Sequence, residues 1–327
     1  MTQSTLPPVR PDVQAFLAML ANLPGPRTHE VEPELARQTY RAMKDVADPP
    51  LCDLGAIADL IIPGPAGDVP ARLFDARGSR EPGPVIVFFH GGGFVIGDLD
   101  SHASYCAELA RATDLPVIAI DYRLAPEARW PAAADDCEAA ARWIASNPAQ
   151  SGRRATSLVL AGDSAGGNLA IVTAMALRDA PADVPVIAQL AWYPATDSSR
   201  RYASHDALGQ GYLLTADTID YFNRHYAAEA EHVRASPLLG DLTGLPPAVV
   251  VTASLDPIRD QGRAYAAALA QAGVPVVFRE AVGNIHGFIT LRKVIPSSVG
   301  DVAAAHVALK SLVAEAEGAR VMAQAAA

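Results

Sequence analysis

Short apolar runs alternate with helix-like segments along most of this sequence, from residue 57 onward. Residues 85–89 and 117–120 are continuous apolar runs, and a helical pattern follows the second run at residues 132–145. Continuous apolar residues indicate strands that are buried on both faces. Strands that alternate with helices along a chain are typical of parallel sheets with helical crossovers. The sequence therefore predicts an α/β fold with a mostly parallel sheet and helices on both of its faces.

Three segments depart from this alternation. Residues 1–50 contain two short helical patterns separated by Pro24-Gly25-Pro26, and residues 196–245 are polar and rich in tyrosine. The alanine-rich end at 321–327, beyond a last helical pattern that ends at residue 316, is expected to fray. The predicted boundaries are 1–50 for an N-terminal appendage, 51–195 with 246–327 for the main domain, and 196–245 for an insertion over the sheet.

Charge and composition argue against several classes of function. The 327 residues include 36 Asp and Glu against 26 Lys and Arg, a net charge of −10. This balance disfavours binding to a phosphate backbone or to an anionic lipid surface. No apolar run reaches membrane-spanning length, and residues 1–8 lack the basic start and apolar stretch of a secretory signal. We expect a cytoplasmic protein that binds neither nucleic acid nor a membrane.

The cysteines and histidines do not form a metal-binding pattern. Cys52, Cys106 and Cys137 are far apart in the sequence, and their odd number fits free thiols in a reducing compartment. The apolar neighbours of Cys106 and Cys137 predict that these two side chains are buried as small hydrophobic groups. The histidines show no HExxH spacing. We therefore expect neither a metal nor an organic cofactor.

The pentapeptide Gly162-Asp163-Ser164-Ala165-Gly166 lies between an apolar run and a helix-like segment. A GxSxG sequence on a strand-to-helix turn is typical of a serine nucleophile, because the glycines permit the sharp reversal that exposes the hydroxyl. The first turn of the following helix directs unpaired N–H groups toward the place where negative charge would develop. The alternative is that Ser164 only caps the helix.

A serine nucleophile needs a histidine base and a carboxylate that orients it. His286 lies in a predicted loop that follows a predicted strand at residues 274–280, and Asp256 directly follows another strand at 248–252. Asp260 is a competing acid one helical turn further on, but its distance from the strand end favours a structural role. The alternatives are a helix cap for Asp256 and an ordinary loop or core histidine for His286.

The sequence His90-Gly91-Gly92-Gly93 follows the predicted strand at 85–89. Glycines allow backbone N–H groups to approach a substrate closely, as stabilisation of a tetrahedral oxyanion requires. We predict that the N–H groups of Gly92, Gly93 and Ala165 form an oxyanion hole. The alternative is a flexible or phosphate-binding loop, but no GK[ST] sequence follows.

These motifs together resemble the hormone-sensitive-lipase-like esterases, the bacterial family IV branch of the α/β-hydrolases. The order Ser164, Asp256, His286 is the order of that superfamily. The matching stretches are residues 90–93, 121–127, 162–168, the pair Asp256-Pro257, and His286-Gly287-Phe288. The resemblance implies an α/β-hydrolase fold with a mostly parallel eight-stranded sheet, helices on both faces and a helical cap made from residues 1–50 and 196–245.

The resemblance also implies roles for residues around the predicted triad. The segment at 121–127 is structural in that family and holds the oxyanion loop through buried polar contacts. The supporting residues expected on this basis are Asp121, Arg123 and Glu127. The position of His90 at the start of the glycine-rich loop separately predicts that it shapes this loop through backbone hydrogen bonds and does not act as a base. The candidates for lining the substrate pocket are Tyr193, Tyr212, Leu213 and Phe288, for which ordinary core packing is the alternative.

The motifs thus predict a serine carboxylesterase that acts on small esters, as a monomer or a homodimer, and the resemblance implies short-to-medium acyl chains. An amidase or a lactonase with the same triad is one alternative, because the triad does not select the leaving group. A non-catalytic small-molecule receptor on this fold is another. The presence of His286 argues against such a receptor.

Overall fold

The computed structural model describes residues 7–326, so residues 1–6 and 327, which belong to the predicted N-terminal and frayed C-terminal segments, lie outside the described range. The strands are β1 Ala56–Gly64, β2 Gly67–Asp75, β3 Gly83–Phe89, β4 Val117–Ile120, β5 Ala155–Asp163, β6 Val186–Trp192, β7 Ala248–Leu255 and β8 Val276–Ile285. The helices are α1 Pro11–Asn22, α2 Pro33–Ala47, α3 Ala103–Thr113, α4 Ala132–Ala145, α5 Ala165–Asp179, α6 Ala203–Leu208, α7 Ala216–Tyr226, α8 Arg259–Gln271 and α9 Ser298–Ala326.

The strands of the described range form one eight-stranded sheet in the order β1-β2-β4-β3-β5-β6-β7-β8. β2 pairs antiparallel with both β1 and β4, and every other neighbouring pair is parallel. The predicted eight-stranded, mostly parallel sheet is confirmed. Because β3, β5, β7 and β8 run in the same direction, the residues that follow them meet at one edge of the sheet.

Helices cover both faces of the sheet. On β3, Val85, Val87 and Phe89 belong to an apolar cluster that includes residues of α4, α5 and α8. The intervening residues Ile86 and Phe88 belong to a second cluster with α3 and α9. Since successive side chains of a strand point to opposite faces, the central strands are buried on both sides. This burial explains why the central strands are continuous apolar runs in the sequence.

The ends of β8 and α9 differ most from the sequence prediction. β8 continues beyond residue 280 to Ile285, pairing with β7 through a register shift near Ala253 and Leu255. The glycine and asparagine at 283 and 284 indicated a loop, but the strand accommodates Gly283 at φ 77°. His286 therefore follows a strand directly.

The last helix is also longer than predicted. α9 runs to Ala326 instead of ending at residue 316. The carboxylate of Glu317 accepts hydrogen bonds from the Thr156 and Ser157 hydroxyls, 3.0 Å each, and so ties this part of α9 to β5. Alanine and glutamate also have high helix propensity. The structure therefore continues the helix through residues 321–326 of the segment that was expected to fray.

Cys52, Cys106 and Cys137 are free thiols, and Cys106 and Cys137 are buried as predicted. Burial raises the pKa of both buried thiols.

In the described range, no helix is both long enough and apolar enough to span a bilayer.

A buried histidine on α9 makes the stability of the fold depend on pH. Burial, with a smaller contribution from Arg292, lowers the pKa of His306 from 6.5 to about 3. Between these values the unfolded chain binds a proton that the folded protein does not. As pH falls below about 6.5, His306 should therefore cost up to about 1.4 kcal/mol of unfolding free energy per pH unit.

We expect His306→Met to weaken this dependence. Urea unfolding at pH 6.5 and pH 4.5 should show a smaller loss of unfolding free energy for the variant than for the wild type. Equal losses in the two proteins would show that His306 does not contribute in this way.

Candidate active site

Ser164 occupies a sharp turn between β5 and α5. Its φ is 56°, an uncommon value for a residue other than glycine. A Cβ atom at Gly162 would lie 2.2 Å from the Gly166 carbonyl oxygen, and one at Gly166 would lie 1.9 Å from the Phe89 oxygen. Neither glycine can carry a side chain, so the turn explains both fixed positions of the GxSxG sequence.

The structure brings Ser164, His286 and Asp256 into one hydrogen-bonded row. His286 Nε2 lies 2.9 Å from Ser164 Oγ, and His286 Nδ1 lies 2.7 Å from Asp256 Oδ2. The Asp256 carboxylate is fully buried, and its other oxygen accepts from the Ile258 N–H at 2.9 Å. An ionised carboxylate only accepts, so Nδ1 carries the proton and Nε2 is left to accept from the serine hydroxyl.

The competing acid, Asp260, is not hydrogen-bonded to His286. Its carboxylate accepts from the Ser204 N–H at 3.0 Å and from Arg259 Nε at 2.9 Å, and it also pairs with Arg263. Asp260 thus connects α8 to the start of α6. The geometry favours Asp256 as the partner of His286.

The glycine-rich loop after β3 faces the same cavity as Ser164. Gly92 and Gly93 have φ values of 119° and 60°, and the Gly92 carbonyl accepts from the N–H groups of Val95 and Ile96 at 3.0 and 2.9 Å. Within the described residues, the N–H groups of Gly92 and Gly93 have no acceptor. Ala165 is the first residue of α5, so its N–H has no partner within the helix. The three predicted oxyanion donors are therefore free to bind an anion.

The insertion packs directly on this loop. The Phe222 side chain, from α7, would lie 2.2 Å from a Cβ atom at Gly93. The rings of Phe94 and Tyr226 stack, with centroids 3.9 Å apart and planes 8° apart. Any side chain at position 93 would therefore displace α7.

Asp163, the residue before the nucleophile, anchors the loop from the other side. Its Oδ1 accepts from the Gly91 N–H at 2.7 Å and lies 3.2 Å from His102 Nε2. Both side chains are almost completely buried. Sequence reasoning did not identify Asp163 or His102 as supports, because their partners lie far away along the chain.

His90 lies at the start of the glycine-rich loop and contacts its backbone. Its Nδ1 donates to the Gly91 carbonyl at 2.8 Å, its ring stacks on Tyr122 at 4.3 Å, and the Tyr122 hydroxyl donates to the His90 carbonyl at 2.7 Å. Burial, together with the nearby His102, lowers the pKa of His90 to about 4. His90 is therefore neutral near pH 7.

The other predicted supports have different surroundings. Burial raises the pKa of Asp121 to about 6, and its carboxylate lies 3.9 Å from His90 Nε2. Arg123 binds both oxygens of Asp136, at 2.8 Å each, and so connects this segment to α4. The Glu127 carboxylate is 63% exposed, so the expectation of a buried contact is wrong for this residue.

Glu127 acts on the loop through Arg37, a residue of α2 that sequence reasoning missed. Arg37 pairs with both oxygens of Glu127, at 2.8 and 2.6 Å. Its Nε and Nη2 also donate to the carbonyls of Val95 and Ala125, at 2.8 Å each. The available signal was an arginine beside Ala36 and Tyr40 on the inward face of α2. The N-terminal segment thus helps to hold the glycine-rich loop.

A cavity of about 570 Å³ opens above Ser164 and His286. The N-terminal segment, residues 7–50, and the insertion, residues 196–245, both contribute to its wall. The apolar lining comes mainly from Phe16, Ala36, Met43, Ile96, Leu213, Leu214, Ile219, Phe222, Ile258 and Leu291.

Of the four predicted pocket residues, Leu213 lines the cavity. Tyr193 and Phe288 are buried in the core, with ring centroids 5.3 Å apart, and Tyr193 lies against the His286 ring at 4.6 Å. Tyr212 packs on the apolar cluster that includes Leu208 and Ile285. The structure thus places Tyr193, Tyr212 and Phe288 outside the cavity lining. Their aromatic character did not distinguish a pocket from the core beneath it.

Among residues 7–326, no group of three or more His, Cys, Asp or Glu side chains is arranged to hold a metal ion. The site itself contains the hydrogen-bonded row of Ser164, His286 and Asp256 and the free backbone N–H groups beside it.

Known proteins resemble this chain in sequence and in fold. A family model described as the α/β-hydrolase fold matches residues 86–290. Esterase LipI of Mycobacterium tuberculosis is 38% identical over 81% of this chain and 84% of its own length. Ethyl acetate hydrolase of Pseudomonas putida is 36% identical over 88% of this chain and 94% of its own.

A solved structure supports the same relationship. The crystal structure of a thermostable esterase from Pseudomonas putida ECU1011 aligns with a TM-score of 0.89 and 30% identity, covering 95% of this chain and 99% of that one. The fold, the order of the motifs and the sequence similarity all indicate the same family. This chain therefore belongs to the α/β-hydrolase family, in its hormone-sensitive-lipase-like branch.

Proposed function

We propose that this protein is a serine carboxylesterase. The observation that carries the proposal is the row of Ser164, His286 and Asp256, with contacts of 2.9 and 2.7 Å, beside free N–H groups in a cavity. The names of the relatives LipI and ethyl acetate hydrolase support the same class of reaction.

In the acylation step, Ser164 Oγ attacks the ester carbonyl carbon while His286 Nε2 takes the hydroxyl proton. The carbonyl oxygen becomes an oxyanion, which the N–H groups of Gly92, Gly93 and Ala165 stabilise. The tetrahedral intermediate collapses when the bond to the leaving oxygen breaks and His286 gives its proton to that oxygen. The alcohol leaves, and the acyl group remains on Ser164.

In the deacylation step, water attacks the acyl carbon and His286 accepts a proton from the water. The second tetrahedral intermediate releases the carboxylic acid, and the proton returns to Ser164 Oγ. Asp256 holds the imidazole in the required tautomer through both steps and stabilises the imidazolium that forms.

The N-terminal segment and the insertion serve as the cap of this enzyme in our proposal. Both line the cavity with Ser164, and both contact the oxyanion loop, one through Arg37 and the other through Phe222. The main domain then comprises residues 51–195 and 246–327. The cap sets the length of acyl chain that fits.

The protein is a cytoplasmic monomer or homodimer in this proposal. Its three unpaired cysteines suit a reducing compartment. β8 forms an edge of the sheet, with Phe278 and Val282 exposed on it, and offers the surface for a homodimer. Light scattering of the purified protein distinguishes the two assembly states.

A p-nitrophenyl ester series from acetate to palmitate tests the proposed substrate class. A mostly apolar cavity of about 570 Å³ suits a small ligand. We therefore expect kcat/KM to be highest for a short-to-medium acyl chain, and a maximum at palmitate would contradict the proposal. A matched ester and anilide with the same acyl group separate esterase from amidase, and we expect faster turnover of the ester.

A further inference from the structure

The side-chain amide of Gln261, on α8, has a fixed orientation. Its Oε1 lies 3.0 Å from the Thr196 N–H and 3.1 Å from the Asp197 N–H, and accepts from both. A backbone N–H can only donate, so the atom facing these two groups must be the carbonyl oxygen of the amide. The amide nitrogen therefore lies on the other branch, and its two hydrogens are available as donors.

This amide lies beside the backbone of the nucleophile. The Ala195 N–H donates to the Ser164 carbonyl at 3.2 Å, and the next two residues hold Gln261. Gln261 lines the cavity together with Ser164 and Ala195. Within the described residues, Gln261 Nε2 has no hydrogen-bond acceptor, whereas Oε1 has two donors. The NH₂ group is thus available to a substrate that reaches this part of the cavity.

Several polar groups near Gln261 in the cavity wall already have partners. The Asp197 carboxylate accepts four hydrogen bonds: from the Ser199 N–H and hydroxyl, from Arg200 Nε and from the Tyr202 hydroxyl. Arg200 and Arg201 also line the cavity, and each pairs with a carboxylate, Arg200 with Asp197 at 3.0 Å and Arg201 with Asp206 at 2.7 Å. The remaining cavity carboxylates are Asp163, which accepts from the Gly91 N–H, and Asp220 on α7.

We propose that Gln261 determines specificity for esters in which one limb carries a hydrogen-bond-accepting group, a carboxylate or a ketone. The inference rests on the proposed esterase function and goes beyond it by naming the chemistry of the substrate. The Gln261 NH₂ group donates to the acceptor. An alkyl limb at this position would cover the amide NH₂ group in the enzyme–substrate complex and leave it without a hydrogen-bond acceptor.

The variant Gln261→Glu tests this contribution, with the neutral ketone ester as the substrate that separates loss of the donor from the added charge. It keeps an oxygen for the Thr196 and Asp197 N–H groups and replaces the donating NH₂ by an accepting, negatively charged oxygen. The acyl-side substrates are monoethyl glutarate, ethyl 5-oxohexanoate and ethyl 5-methylhexanoate, which share a skeleton and end in carboxylate, ketone and isopropyl groups. The alcohol-side series is 4-acetoxybutanoate, 4-oxopentyl acetate and 4-methylpentyl acetate.

The readout is the ratio of kcat/KM for the carboxylate or ketone ester to kcat/KM for its alkyl counterpart. In at least one series we expect Gln261→Glu to lower the carboxylate ratio by about tenfold or more, and the ketone ratio by a smaller factor. Gln271→Glu makes the same chemical change at an exposed position of the same helix, outside the cavity lining, and should leave both ratios as in the wild type.

A ketone ratio that stays as in the wild type in both series would overturn the inference, because the added negative charge by itself explains a fall in the carboxylate ratio. A fall of the same size in Gln271→Glu would also overturn it, because the effect would then be one of general charge. Failure of the esterase proposal is distinguishable, since the wild type would then hydrolyse none of the six esters. Matching circular dichroism spectra and melting temperatures establish that the variants are folded.

Discussion

Ser164→Ala is expected to lower kcat/KM for a p-nitrophenyl ester by about 10⁵-fold or more, because the attacking oxygen is removed while the rest of the site remains. The residual rate comes from the oxyanion donors and binding alone. Alanine fits the turn as well as serine does, since the strained φ of 56° is a property of the backbone there. The melting temperature should therefore change little.

The matched control is Ser311→Ala, at an exposed position on α9 where the hydroxyl contacts only Glu315 among the described residues. We expect this variant to retain wild-type kcat/KM. Retention of more than about 1% of wild-type activity by Ser164→Ala would contradict the assignment of the nucleophile, since loss of a catalytic serine costs several orders of magnitude.

Asp256→Asn should lower kcat/KM by about 10⁴-fold, because the amide can turn its NH₂ toward His286 and stabilise the wrong tautomer. The imidazole would then present an N–H to Ser164 Oγ and could not accept its proton. Asp256 also accepts from the Ile258 N–H, so the folded fraction has to be measured by circular dichroism beside the kinetics.

Asp260→Asn provides the comparison for this second prediction. Asp260 binds Ser204, Arg259 and Arg263 and makes no contact with His286. At a temperature where both variants are folded, Asp260→Asn should retain kcat/KM within about threefold of the wild type. A loss in Asp260→Asn comparable to that in Asp256→Asn would remove the distinction between the two acids.

Sequence reasoning reached the fold because the central strands are apolar on both faces. The run at 85–89 supplies side chains to two different clusters, and only a strand covered on both sides requires that pattern. The positions of Ser164, Asp256 and His286 followed from the same reasoning, since each lies directly after a predicted strand or close to its end. The boundary of β8 was less accurate because Gly283 continues an irregular strand instead of ending it.

The residues that surround Ser164, His286 and Asp256 could not be predicted from the sequence in the same way. Arg37 contacts residues 58 and 88 positions away, and the partner of His102 is Asp163. Such pairings depend on how helices pack on the sheet, and neither periodicity nor spacing encodes them. The cavity wall shows the same limit: Phe16 and Phe222 line it, whereas Tyr193 and Phe288 lie in the core.

Covalent labelling with a p-nitrophenyl alkylphosphonate tests the nucleophile most directly, because the reagent leaves a stable tetrahedral phosphorus adduct on an activated serine oxygen. We predict one adduct per chain, released by proteolysis on the peptide that contains Ser164, with activity lost in proportion to labelling and no adduct in Ser164→Ala. An adduct on another residue, or labelling of Ser164→Ala at the wild-type rate, would contradict the account.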